Sequence, residues 1–236
     1  MKNKLTNIYI KISPEKQEAV FSGVGFVDFI ECTPIPIENM LLMKSGYIWE
    51  KDYLGFEIAE GKKEIDNLAK SVRKDKFKHG DFSFVDYAKA DSLHQLSDEQ
   101  IAELLYLAHM TKPLKSPFFE SLQNNFVYLS HDDDWYCKLY YKEWQIPISI
   151  LLNKFRKIIQ EALCDSALSL PDDLADRVNE LAEKGLLIQV DASSRKRKAV
   201  TIKLYEVGEY ENMDVLFNSL GDIMPPASHE VHLANS

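Results

Sequence analysis

Residues 170–205 constrain the fold of this chain more than any other stretch. Within LPDDLADRVNELAEKG, Leu174, Val178, Leu181 and Ala182 fall on one side of a helix. Asp172 and Asp173 suit the positive end of the helix dipole, Lys184 suits the negative end, and Gly185 provides a left-handed stop. Past the glycine the apolar period drops to two. Leu186, Ile188 and Val190 alternate in one strand, and Val200, Ile202 and Leu204 in its partner, around the tip Arg195-Lys196-Arg197-Lys198. A helix running into an antiparallel hairpin must bury two apolar surfaces of different period. That requirement points to an α+β fold with antiparallel sheet elements, several short amphipathic helices and a C-terminal helix plus β-hairpin.

Other segments carry the same two periods. Ile8, Ile10 and Ile12 face one way along a first strand, with Tyr9 and Lys11 facing the other. Pro14 after Ser13 predicts a short helix to about Ser22, and Phe26 to Cys32 reads as a strand closed by Pro34 and Pro36. Residues 47–59 predict a strand or hairpin, and 62–78 a solvated helix carrying Ile65, Leu68 and Val72. Ser97 and Gln100 form a capping box, with Leu96 and Ile101 placed as a hydrophobic staple, so a helix follows to Pro113. Pro117 predicts another short helix. Phe126–Ser130 and Trp135–Trp144 predict a hairpin around His131-Asp132-Asp133-Asp134. A long amphipathic helix then occupies 147–163, and a short one 213–220. These readings divide the chain into a mixed part at 1–145, a helix-helix-hairpin-helix part at 146–224 that can share its core, and a flexible tail at 225–236.

The block at 170–205 resembles, in outline, the recognition helix and wing of the MarR-type regulators. The resemblance implies a DNA-binding regulator with Arg195, Lys196, Arg197 and Lys198 against phosphates. Electrostatics argue the other way. The outward face of the helix carries Asp172, Asp173, Asp176, Glu180 and Glu183 against Arg177 and Lys184 alone, the wrong sign for a surface entering a groove between phosphates. The whole chain, at a net charge of −9, is acidic as well and disfavours nucleic acid as a partner.

Candidates for chemistry are few. His131, Asp132, Asp133 and Asp134 concentrate metal-capable groups, so a metal-dependent enzyme is an alternative reading. Adjacent residues of a turn converge poorly on one ion, however, and a solvated turn explains them as well. The spacings of a P-loop, a nucleophile elbow and a dinucleotide fingerprint do not occur, and no cofactor is expected. In Trp135–Trp144, Tyr136, Lys138, Tyr140 and Lys142 share one face and Cys137, Leu139 and Tyr141 the other. Interleaved aromatic and basic groups can bind single-stranded nucleic acid. The same alternation also marks the wet side of any half-buried strand. Three widely spaced cysteines, Cys32, Cys137 and Cys164, read as free thiols of a reducing compartment. With no apolar run near the roughly 18 residues of a membrane span, the expectation is a soluble, cytoplasmic protein without a membrane partner. The expected role is non-enzymatic, in protein interaction or regulation, with another protein or a second copy of the chain as partner.

Overall fold

A computed structural model describes residues 5–44, 56–74, 82–110, 112–131, 136–191, 199–210, 215–216, 218 and 229–234. They form a ten-stranded antiparallel sheet and five α-helices. In chain order these are β1 (Leu5–Ser13), β2 (Glu18–Ser22), α1 (Phe26–Cys32), β3 (Asn39–Lys44), β4 (Phe56–Glu60), α2 (Gly61–Lys74), β5 (Phe82–Asp86) and α3 (Asp98–Met110). They continue with β6 (Phe126–His131), β7 (Tyr136–Tyr141), α4 (Gln145–Leu163), α5 (Asp172–Ala182), β8 (Leu186–Asp191), β9 (Ala199–Glu206) and β10 (His229–Ala234). Across the sheet the order is β10-β9-β8-β1-β2-β7-β6-β5-β3-β4. The 1–145 and 146–224 parts therefore meet edge to edge, since β1 pairs with β8 from Leu5 opposite Asp191 to Ile10 opposite Leu186.

The sheet has two unlike faces. One is apolar from β9 to β3: Ile202, Ile188, Ile10, Phe21, Leu139, Tyr128, Phe84 and Leu42 join one core. Helices α1, α2, α4 and α5 lie on it, with α4 packed against both α1 and α5. Here Phe29 of α1 sits 5.2 Å from Phe126, 4.9 Å from Tyr128 and 5.6 Å from Phe84, ring centre to ring centre. The opposite face carries two separate apolar patches. Leu104, Leu107 and Ala108 of α3 cover Leu41, Val85, Val127 and Leu129 at one end. At the other end Tyr9, Leu187, Tyr205 and Leu216 form a smaller cluster.

Three local readings are corrected. Phe26–Cys32 is helical, because Phe26, Phe29 and Cys32 recur every three residues and all enter the first core. Gly25 N–H donates to Asp28 Oδ2 at 3.3 Å, and Thr33, held extended before Pro34, ends the helix. The helix expected from Pro14 to Ser22 shrinks to a 3₁₀ turn at Pro14–Lys16, and left-handed Gln17 (φ 50°) then reverses the chain into β2. Both edges of β2 are paired, to β1 and to β7, and that pairing overrides the proline signal. Instead of a helix, Pro117 opens a turn around Asn124, which accepts from Phe119 N–H (2.8 Å) and donates to the Pro117 carbonyl (3.1 Å).

The capping box is present: Ser97 N–H donates to Gln100 Oε1 at 3.0 Å and Gln100 N–H to Ser97 Oγ at 3.2 Å. His229–Ala234, read from sequence as part of a polar tail, pairs along its length with β9. No helix of the described residues is long and apolar enough to cross a membrane.

Candidate functional site

The antiparallel registers align side chains of the second face into rows that cross the sheet. Lys11 stands opposite Val20, Val20 opposite Lys138, and Lys138 opposite Leu129. In the next row Ser13 faces Glu18, then Tyr140, then Val127 and Val85. The first row is polar on β1 and β7 with Val20 between them, the second is polar over β1, β2 and β7, and both turn apolar where α3 covers β6 and β5. The polar stretch floors a cleft of about 580 Å³. Lys112, just past α3, stands on one side, and Glu209 and Tyr210 on the other. Lys16 reaches it from the β1–β2 turn.

The second wall is pinned from below. The Tyr9 hydroxyl, fully buried, donates to the Gly208 carbonyl at 3.0 Å and accepts from Tyr210 N–H at 3.2 Å. Burial, reinforced by the charge of Glu209 and opposed by the Tyr210 N–H, pushes this phenol up to about 12, so it remains a donor under all ordinary conditions. The Tyr210 ring stands edge-on to it, 6.3 Å away. Gly185 makes the crossing possible. Its φ is +89°, and a Cβ there would lie 1.9 Å from the Gly208 carbonyl oxygen.

Charge distribution separates this cleft from the other hollows. A hollow of about 500 Å³ on the helical side is bordered by Arg73, Lys154 and Lys157, but each of these cations has a carboxylate. Arg73 and Lys157 both bind Glu31, and Lys154 binds Asp28 at 2.5 Å. A further hollow of about 590 Å³ is bordered by Ile30, Ile35, Ile37 and Ile65 together with Glu38, Asp66 and Lys62, so that carboxylates outnumber its one cation. In the cleft, Glu18 is engaged by Lys138 at 3.4 Å and by the Tyr140 hydroxyl. Burial and the Glu18 charge raise the Tyr140 phenol well above its ordinary range. The Lys11 ammonium reaches the Glu183 carbonyl at 2.7 Å, which orients it without neutralising it. Among the described residues Lys11, Lys16 and Lys112 have no carboxylate in ion-pair range. The cleft thus offers, among the described residues, ammonium groups without an ion pair beside phenol rings, an arrangement able to hold an anion.

Of the strand expected at Trp135–Trp144, β7 (Tyr136–Tyr141) supplies part of this floor: Tyr136, Lys138 and Tyr140 line it. Lys142 departs from the set, since its ammonium stands 5.5 Å from the centre of the Phe118 ring. Ser13, Lys16, Glu18, Lys112, Glu209 and Tyr210 carried no signal in the sequence, because nothing there says that β1, β2 and β7 are neighbours. Asp132, Asp133 and Asp134 lie outside the described residues, as do Arg195, Lys196, Arg197 and Lys198; of His131 only the backbone is described, paired opposite Tyr136. The β8–β9 hairpin that leads to that basic tip is built into the sheet, with β8 held by β1 and β9 by β10. The outward side of α5 exposes Asp172, Asp173, Asp176, Glu180 and Glu183.

One buried carboxylate is structural. Asp86, at the end of β5, accepts from Asn125 N–H, Asn125 Nδ2 and Phe126 N–H at 2.9–3.0 Å and so clamps the start of β6. Burial raises its pKa, against the pull of those donors. Among the described residues no three His, Cys, Asp or Glu side chains gather as metal ligands do. No family model, curated protein or solved structure matches this chain.

Proposed function

We propose that this chain is a non-enzymatic protein-interaction protein whose working surface is the cleft at the centre of the second sheet face. One observation carries the reading: Lys11, Lys16 and Lys112 surround a half-buried tyrosine-lined floor without carboxylate partners among the described residues. On the helical side, by contrast, Arg73, Lys154 and Lys157 are each held by a carboxylate. Tyrosines that present an apolar ring and a polar tip are frequent at protein interfaces. The Tyr140 phenol, raised well above its ordinary range by burial and the Glu18 charge, suits binding better than proton transfer.

The test is photo-crosslinking from an aromatic crosslinker at Tyr136, with one at exposed Arg156 on α4 as the control. A protein captured from Tyr136 and not from Arg156 should, once purified, bind the native chain and lose that affinity to Tyr136→Ala. Equal capture from both positions, or a purified partner indifferent to Tyr136→Ala, removes the cleft as the working surface. Light scattering on the chain alone reads the remaining case: a dimer broken by Tyr136→Ala assigns the surface to a second copy.

A further inference from the structure

The strands that floor the cleft decide how any partner is recognised there. β1 is paired to β8 and β2, β2 to β1 and β7, and β7 to β2 and β6. Their backbone N–H and C=O groups are therefore committed to the sheet, and a peptide cannot bind by adding a strand at this place. What the floor presents is side chains alone. Of these, the ammonium groups of Lys11, Lys16 and Lys112 have no ion pair among the described residues, Glu18 is already held by Lys138 and Tyr140, and Glu209 on the wall is the other carboxylate of the lining.

We infer that the cleft takes a short, extended acidic segment of a partner protein, with its carboxylates on Lys16, Lys112 and Lys11 and its backbone lying across Tyr136 and Tyr210. This rests on the interaction reading above and names the chemistry of its occupant. Two observations select a short acidic peptide over a nucleic acid. First, the three lysines line a cleft of about 580 Å³, within the range of pockets for small ligands and a few residues of peptide. Second, the chain as a whole is acidic, with a net charge of −9. A continuous polyanion extending beyond the cleft meets the field of an acidic protein, whereas a segment of a few acidic residues keeps its charge over the lysines.

The experiment titrates the full chain with a hexaglutamate peptide, a hexaglutamine peptide, a thymidine hexanucleotide and inorganic phosphate. The expected result is saturable hexaglutamate binding at least about tenfold tighter than hexaglutamine, weakening as salt shortens the reach of the charges. The double variant Lys16→Gln/Lys112→Gln should weaken hexaglutamate by about fivefold or more. Both lysines are exposed, so its thermal unfolding should match the native chain and exclude misfolding as the cause. Glutamine and glutamate peptides binding equally, or a double variant that binds hexaglutamate normally, overturns the inference. So does a hexanucleotide that outbinds hexaglutamate and is lost with the same lysines, which assigns the cleft to nucleic acid. Phosphate matching the peptide assigns it to small anions and overturns it too. If Tyr136 captures a specific protein while hexaglutamate does no better than hexaglutamine, the acidic class falls and the interaction surface stands.

Discussion

The two faces of this sheet solve the same burial problem differently. On the helical face, apolar residues run without interruption from Ile202 in β9 to Leu42 in β3, and four helices seal them. On the second face the apolar residues gather under α3 at one end and around Tyr9 at the other, leaving Lys11, Glu18 and Lys138 between. Both patterns are built on the same strands, one residue out of phase. A continuous apolar surface drives complete coverage because each buried side chain contributes roughly 1.5–3 kcal/mol. A polar stripe gives no such drive, so the coverage stops at its edges and a cleft remains. The contrast teaches where this molecule spends its stability and where it keeps chemistry available.

Substitutions can break or sharpen that contrast, beginning with the strongest. Phe29→Ala removes a ring from the aromatic centre of the sealed face and should cost about 3–5 kcal/mol in urea unfolding. A cost near zero would mean that this face is not the main core. Gly185→Ala forces a side chain onto Gly208 and a left-handed backbone, and should cost about 2–3 kcal/mol while displacing the 207–210 wall. Tyr9→Phe keeps the ring but deletes both hydrogen bonds to that wall, a loss of about 1–2 kcal/mol. Hydrogen exchange should then quicken at Val207–Tyr210 and stay unchanged along β6. Uniform quickening would show that the wall is not a separable part of the second face.

A pH series separates the faces by another route. Burial pushes the Glu31 carboxyl up, but Lys157 and Arg73 outweigh it and hold it below its ordinary value of 4.5. The unfolded chain therefore binds more protons in the window below 4.5. The clamp between α1, α2 and α4 is at full strength above that value and is lost as pH falls through the lowered folded-state pKa. Glu31→Gln should flatten this acid loss by less than about 1 kcal/mol, because the pair is only partly buried. A variant whose stability falls with acid as steeply as the native chain's would remove Glu31 as the cause. Smallest of all, Lys16→Gln/Lys112→Gln should change stability by no more than about 0.5 kcal/mol, since both side chains lie on the open face. A larger loss in unfolding experiments would make these lysines structural and erase the distinction between the faces.

Much of the local structure was legible in the residues. The helix at 172–182, its glycine stop and the strands at 186–191 and 199–206 follow from a change of apolar period at Gly185. The capping box at Ser97 set the start of α3. Phe26–Cys32 misled because FVDFIEC has strand-forming residues, and its three-residue period shows only once the core claims Phe26, Phe29 and Cys32 together. Glu18–Ser22 misled because a proline signals a start but not a length, and the partners of β2 decided the rest. The cleft was half legible: the alternation in Tyr136–Tyr141 separated Lys138 and Tyr140 from Leu139.

The sequence by itself determined the α+β class, the alternation of β1, β7, β8 and β9 and the acid-rich outer side of α5, because period and charge are local properties. Which strands are neighbours was decided only by the tertiary structure. Pairing β1 with β2 and β2 with β7 joins residues as far apart as Lys11 and Lys138 in a single row, and pairing β1 with β8 brings the Gly208–Tyr210 wall beside them. Long-range pairing is chosen by the burial of the opposite, apolar phase of those strands. The cleft is the polar phase of the same choice.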